Sequence, residues 1–343
     1  MEKQHNRGQD GAGVATVKLN TESGHQFMHR MRISGPQAIS QIFQDINKEI
    51  AEVQNTYPGI LQHPGLLKGY VRFIGEVMMG HLRYGTQGKN NVEFCHPFIK
   101  SNINPTRNLA MAGNFNLVNT DELFARLDLH PGGTLRESDL GALMETIYYY
   151  LCMADDTNPE ALNLEGILKQ ATTHFDGGYV FGGLVGNGDS FVMRDPNGIR
   201  PCYYYKSDEV LVAASERAAI MTAFNVSQSD VHKLQPGHAL IMTAKGEFSN
   251  VEILPPAKLT ACSFERIYFS RGSDPDIYRE RMQLGRNLAG KVLEALDKDL
   301  KHTIVSFIPN TAEIAFLRIN KRTGRLPQRN KAATHPFPPR HHI

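Results

Sequence analysis

No apolar run in this 343-residue chain is long enough to cross a membrane as a helix. The opening MEKQHNRGQD has no signal-peptide apolar region, so a cytoplasmic location is the expectation. Cysteine is scarce. Cys95, Cys152, Cys202 and Cys262 are widely spaced and match no zinc pattern, so no metal site is expected and most read as inert core thiols. No cysteine precedes Cys95. Acidic residues are missing from 317 to 343, where seven Lys/Arg stand alone. The net charge of +2 therefore leaves −5 for the residues before 317, and the body offers no electrostatic case for nucleic-acid binding. That segment also lacks apolar periodicity and is rich in proline. It reads as a basic tail, disordered or out of frame.

What is present is the composition of a globular protein, 41% hydrophobic and 21% charged, with length for two domains. Residues 34–54 carry Ile39, Ile42, Phe43, Ile46 and Ile50 on one helical stripe. Short apolar strands are expected at 14–19, at 77–79 and from 109. Helices are expected from Ser138 to Leu151 and over 162–175. From 179 to 214 the period becomes two in four short strands, broken by Asn187-Gly188 and Pro196-Asn197-Gly198, which reads as a meander; a short helix at 215–224 and a last hairpin around Lys245-Gly246 are expected after it. Pro255-Pro256 marks a boundary. Beyond it, a strand at 262–270, a helix at 276–300 with Leu284, Leu288, Val292 and Leu296 in line, and a strand at 303–308 suggest the start of an α/β domain.

The most informative stretch is GHLRYGT, residues 80–86, closed by His96-Pro97. His81 and Arg83 share one side of an extended chain, and an always-charged fork at the mouth of a strand suits a carboxylate. An arginine on an exposed edge is the plainer alternative. Asp139 falls in the first turn of a helix, where the dipole alone favours a carboxylate.

Five motifs in order resemble the amidophosphoribosyltransferase family. They are Arg7-Gly8-Gln9-Asp10, GHLRYGT with His96-Pro97, Asn114-Phe115-Asn116-Leu117, RDPNGIRP at 194–201, and CSFERIYFSRGSD with SFIPNTAEIAF. The resemblance covers about residues 1–316. It implies an α+β fold: a four-layer αββα sandwich of the N-terminal-nucleophile hydrolase type over 1–254, its first strand missing. The beginning of a phosphoribosyltransferase domain would follow over 255–316, then the 317–343 tail. It implies hydrolysis of L-glutamine, with the ammonia passed to phosphoribosyl pyrophosphate to give phosphoribosylamine in purine synthesis. Mg²⁺ would serve the missing phosphoribosyltransferase site, and the full-length protein would be a homo-oligomer.

By the same resemblance, Arg83 would hold the glutamine α-carboxylate, Asp139 the α-ammonium, and Thr86 and His96 would line the pocket. Asn114 and the backbone N–H of Phe115 would form the oxyanion hole, and Arg7 would stand beside the nucleophile. Phe115 replaces a family glycine. The family nucleophile is an N-terminal cysteine, whereas Met1 and Glu2 stand here, so this chain is expected to be inactive as written and shortened at both ends. Cys262 alone cannot hold an iron–sulfur cluster, and none is expected. Two alternatives stay open: another class II amidotransferase such as glucosamine-6-phosphate synthase, or a non-catalytic glutamine-binding scaffold.

Overall fold

In a computed structural model, residues 1–22, 24–85, 91–128, 138–154, 162–309 and 311–322 are described. The chain divides into two compact units, Met1–Glu265 and Arg266–Ile343.

In the first unit, a three-stranded sheet has β1 (Gly11–Val17) between β2 (Met28–Ser34) and β3 (Val77–Arg83). All its pairings are antiparallel, with Gly11 opposite both Ser34 and Arg83. β1 is small and apolar, GAGVATV, and every residue is buried. Alternation decides what each covers. Ala12 and Val14 pack against Ala38, Ile39 and Ile42 of helix α1 (Ala38–Thr56). Ala15 and Val17 face the other way and meet Ala110 and Leu184.

Those two residues belong to a six-stranded antiparallel sheet ordered β12-β11-β7-β6-β5-β4. Its strands are β4 (Phe98–Lys100), β5 (Leu109–Leu117), β6 (Gly177–Val185), β7 (Ser190–Arg194), β11 (His238–Met242) and β12 (Phe248–Glu252). On its other face Met111, Tyr179, Phe181, Phe191 and Met193 pack with Leu143, Ile147 and Leu168. These last come from α4 (Asp139–Met153) and α5 (Leu164–Thr172). A third sheet pairs β8 (Tyr203–Lys206) with β9 (Leu211–Ala214) and β10 (His232–Lys233). It packs through Cys202 and Ala213 onto Val180, Val192 and Leu240. The architecture is mixed α and β with antiparallel sheets, as the alternating stretch implied.

The RDPNGIRP turn owes its shape to two buried charges. Arg194 is 1% exposed and donates to three carbonyls: Arg200 at 2.7 Å, Leu234 at 2.6 Å and Gly198 at 2.8 Å. Asp195 accepts from the N–H groups of Ile199 (2.9 Å) and Arg200 (3.1 Å). Gly198 turns at φ +61°, a conformation open mainly to glycine.

In the second unit, α7 (Pro275–Ala295) starts under an Asp274 cap that accepts from Asp276 and Ile277. Its buried side is Ile277, Arg281, Gly285 and Ala289, while Leu284 and Leu288 are exposed. The expected leucine row thus lies one residue off the packed face. The cause is close contact with α8 (Glu313–Arg322): a Cβ on Gly285 would come within 2.2 Å of the Ala315 carbonyl oxygen. Three further expectations are corrected here. At 262–270, Glu265–Phe269 form a π-helical turn rather than a strand. At 303–308, no strand forms among the described residues. An extended segment needs a bonded neighbour, and Ile304 and Ile308 stand 96% and 83% exposed. Tail residues 317–322 continue α8, with Ile319 buried; the remainder, 323–343, lies outside the described residues.

Candidate functional site

The chain opens with a 3₁₀ helix, Glu2–Arg7, and runs beside the end of β3. Gly8 makes that approach possible. A Cβ there would lie 2.6 Å from the carbonyl carbon and oxygen of Arg83. The Asp10 N–H donates to the Arg83 carbonyl at 3.0 Å, and its carboxylate accepts from the Gly85 N–H at 2.7 Å. The Arg-Gly-Gln-Asp and GHLRYGT motifs are therefore bonded to each other, once backbone to backbone and once through the Asp10 carboxylate.

Arg7 and Asn114 meet at a residue the sequence reading passed over. Glu265 is 2% exposed. It accepts from Arg7 at 2.6 Å, from the Asn114 amide at 2.7 Å and from Arg200 at 3.3 Å. Arg7 also contacts Glu216 at 3.4 Å, and Asn6 donates to Glu216 at 2.8 Å. Two arginines thus balance two buried carboxylates, the condition under which ionised groups persist away from water. The only sequence signal for Glu265 is an acid set alone in the apolar run CSFERIYF.

Arg83 is 6% exposed, with its guanidinium carbon 5.2 Å from the centre of the Phe94 ring. The exposed-edge alternative is thus excluded. Close by, His96 stacks on Phe115 (5.5 Å, 20° between planes) and lies 4.2 Å from the His81 ring. The His96-Pro97 peptide is cis. Phe115 sits within β5 opposite Tyr179 and is not among the residues with positive φ. The substitution of the family glycine is therefore met by an extended strand, not the expected turn. Asp139 accepts from the Leu117 N–H at 3.0 Å, tying the start of α4 to the end of β5. These contacts do not link Arg83 with Asp139. Thr86 lies outside the described residues.

Burial dominates the electrostatics. Burial, with a smaller contribution from Arg83 and against a hydrogen bond to the Gly113 backbone, lowers the His81 pKa from 6.5 to about 4. His96 is held well below 6.5 by burial, then by His81 and Arg83. Burial raises Asp139 against the Leu117 hydrogen bond, and raises the Cys95 thiol against Arg83 and Arg32. Both imidazoles are thus neutral near pH 7. The unfolded chain takes up protons first, so stability is full above about pH 6.5 and falls as pH drops toward about 4. The His81 share is on the order of 2 kcal/mol, allowing for a partly exposed ring. Urea unfolding across this range should show the decline, and His81→Gln should make it shallower, leaving the part due to His96. A profile unchanged by that substitution would contradict the assignment.

No protein-family model matches the chain. Curated amidophosphoribosyltransferases are similar to it over most of its length. The protein of Pasteurella multocida is 28% identical over 332 residues, 92% of this chain and 57% of the relative. That of Pseudomonas aeruginosa is 27% identical over 269 residues, 74% and 51%. That of Lachancea kluyveri is 30% identical over 268 residues, 71% and 49%. The chain thus spans about half the length of the curated relatives it matches. A solved Bacillus subtilis glutamine phosphoribosylpyrophosphate amidotransferase, complexed with ADP and GMP, shares the fold at a TM-score of 0.65. It is 23% identical and covers 94% of this chain and 60% of its own. By sequence along most of its length, and by fold, this chain is a homologue of the amidophosphoribosyltransferases.

Proposed function

We propose that the first unit is a glutamine-binding domain of the amidotransferase kind, with four layers arranged αββα as in N-terminal-nucleophile hydrolases. The observation that carries this is the convergence of Arg7 and Asn114, from separate motifs, on buried Glu265. The packing order supports the layering: α1, the three-stranded sheet, the six-stranded sheet, then α4 with α5.

In this reading the Arg83 fork takes the α-carboxylate of L-glutamine. Asp139 receives the α-ammonium, Thr86 and His96 border the side chain, and Asn114 with the Phe115 N–H faces the amide oxygen. Glu265 orients the Asn114 amide. The complete reaction would release ammonia and pass it to phosphoribosyl pyrophosphate in the cytoplasm, in a homo-oligomer, as the first step of purine synthesis. Mg²⁺ would serve that second site. Among the described residues no cluster of three or more His, Cys, Asp or Glu is set to hold a metal ion. The named relatives give no support to glucosamine-6-phosphate synthase.

These 343 residues hold no cysteine before Cys95. A polypeptide of this sequence is therefore expected to bind glutamine and release no ammonia above blank. Thermal shift with L-glutamine, beside an ammonia assay, tests both halves. A rise in Tm with L-glutamine but not D-glutamine, and no ammonia, is the expected result. The absence of any shift would overturn the reading.

A further inference from the structure

The segment that carries Phe94 and His96 is held from β2, on the far side of β1 from Arg83. Residues opposite one another in antiparallel strands point to the same face. In the three-stranded sheet Arg32, Gly13 and His81 form one such row, and Ser34, Gly11 and Arg83 the next. The two glycines leave a trough between the side chains of β2 and β3. Residues 95 and 96 fill it. A Cβ on Gly11 would come within 2.7 Å of the Cys95 Sγ, and one on Gly13 within 2.0 Å of the His96 carbonyl oxygen. From the β3 side, the Arg83 guanidinium lies over the ring of Phe94. From the β2 side, the Arg32 guanidinium donates to the Glu93 carbonyl at 3.2 Å and to the Cys95 carbonyl at 3.0 Å.

We infer that Arg32 is a positioning residue for carboxylate recognition by Arg83, an inference that rests on the function proposed above. The two carbonyls that Arg32 holds flank Phe94 in the chain. Fixing both fixes where the Phe94 ring stands, and that ring is what the Arg83 guanidinium lies against. Paired hydrogen bonds to a carboxylate tolerate little displacement, so the aim of the fork depends on what packs beside it. The Cys95 carbonyl also leads directly into His96, so the same anchor sets the start of the second pocket residue. Two substitutions separate the donor from the rest of the side chain. Methionine keeps an apolar stem near the Phe98 ring, which lies 5.7 Å from the Arg32 guanidinium carbon, and donates nothing. Lysine restores a cationic donor for the carbonyls without the planar fork.

The test measures Arg32→Met and Arg32→Lys in the whole chain by two readouts. Calorimetric titration compares L-glutamine with L-glutaminamide, which lacks the α-carboxylate. In Arg32→Met the preference for glutamine should fall about tenfold while affinity for glutaminamide stays within about twofold, and Arg32→Lys should recover most of the preference. Labelling with N-ethylmaleimide, read by mass spectrometry, follows the anchor without any ligand. Cys95 is 0% exposed and should react about tenfold faster in Arg32→Met, as the segment opens. Loss of the cation alone would act the other way, because Arg32 lowers the Cys95 pKa. Exposed Cys152 serves as the internal reference. Unchanged labelling of Cys95, or equal weakening of both ligands in Arg32→Met, would overturn the inference and leave the proposed function standing. No preference for glutamine in the natural chain would overturn the proposed function and the inference with it. Should Arg32→Met not fold, Arg32→Gln, a neutral donor of shorter reach, carries the same two measurements.

Discussion

Glu265→Ala is expected to cost about 3–5 kcal/mol of folding stability. The carboxylate is 2% exposed and accepts from Arg7, Asn114 and Arg200. Removing it takes a carboxylate from both Arg7 and Arg200 and leaves Arg7 with Glu216, in a setting poor in water. Losing one partner of a buried ion pair costs far more than the pair contributes, because the surviving charge stays desolvated. Glu265→Gln keeps the shape and one acceptor for Asn114, so it should lose less. The urea midpoint should fall for both, in that order. A loss under about 1 kcal/mol in Glu265→Ala would mean the network is wet and of little consequence.

Gly13→Ala is the second large effect, expected at about 3 kcal/mol or a fall in Tm of roughly 6–12 °C. A Cβ at Gly13 would sit 2.0 Å from the His96 carbonyl oxygen and 3.0 Å from both the His96 carbonyl carbon and the Pro97 ring. Backbone and a proline ring cannot step aside as a flexible side chain could. The displaced segment carries His96, so the stack with Phe115 and His81 should move as well. Gly65→Ala is the control. It lies in the helix Pro64–Tyr70 with nothing within 4 Å of a new Cβ, and should be neutral or slightly stabilising. A Tm equal to that of the natural chain in Gly13→Ala would contradict the packing described.

The strands of the meander were legible because turn chemistry and period agree: Gly188, Gly198 and Gly246 all take positive φ where the turns were expected. The sheet each strand joins was not legible. β8 and β9 leave the six-stranded sheet for a separate one, a choice made by distant partners such as Leu234. Arg83, Asn114 and Arg7 were legible as motif residues. Glu265 was not, since its role comes from Arg7 and Asn114, 258 and 151 residues away along the chain. The same long-range demand explains the wrong strand at 262–270. Alternation there suggested a strand, but the chain turns as a helix, with the Glu265 carboxylate inward.

In the function proposed for this chain, the buried fork of Arg83 recognises the α-carboxylate of an amino acid. Calorimetric titration of the whole chain with L-glutamine and with L-glutaminamide, which lacks that carboxylate, tests it most directly. A charge-assisted pair contributes about 1.5–3 kcal/mol, so the natural chain should prefer glutamine by at least tenfold, and Arg83→Ala should lose that preference. Equal affinity for both compounds in the natural chain, or an undiminished preference in Arg83→Ala, would contradict it.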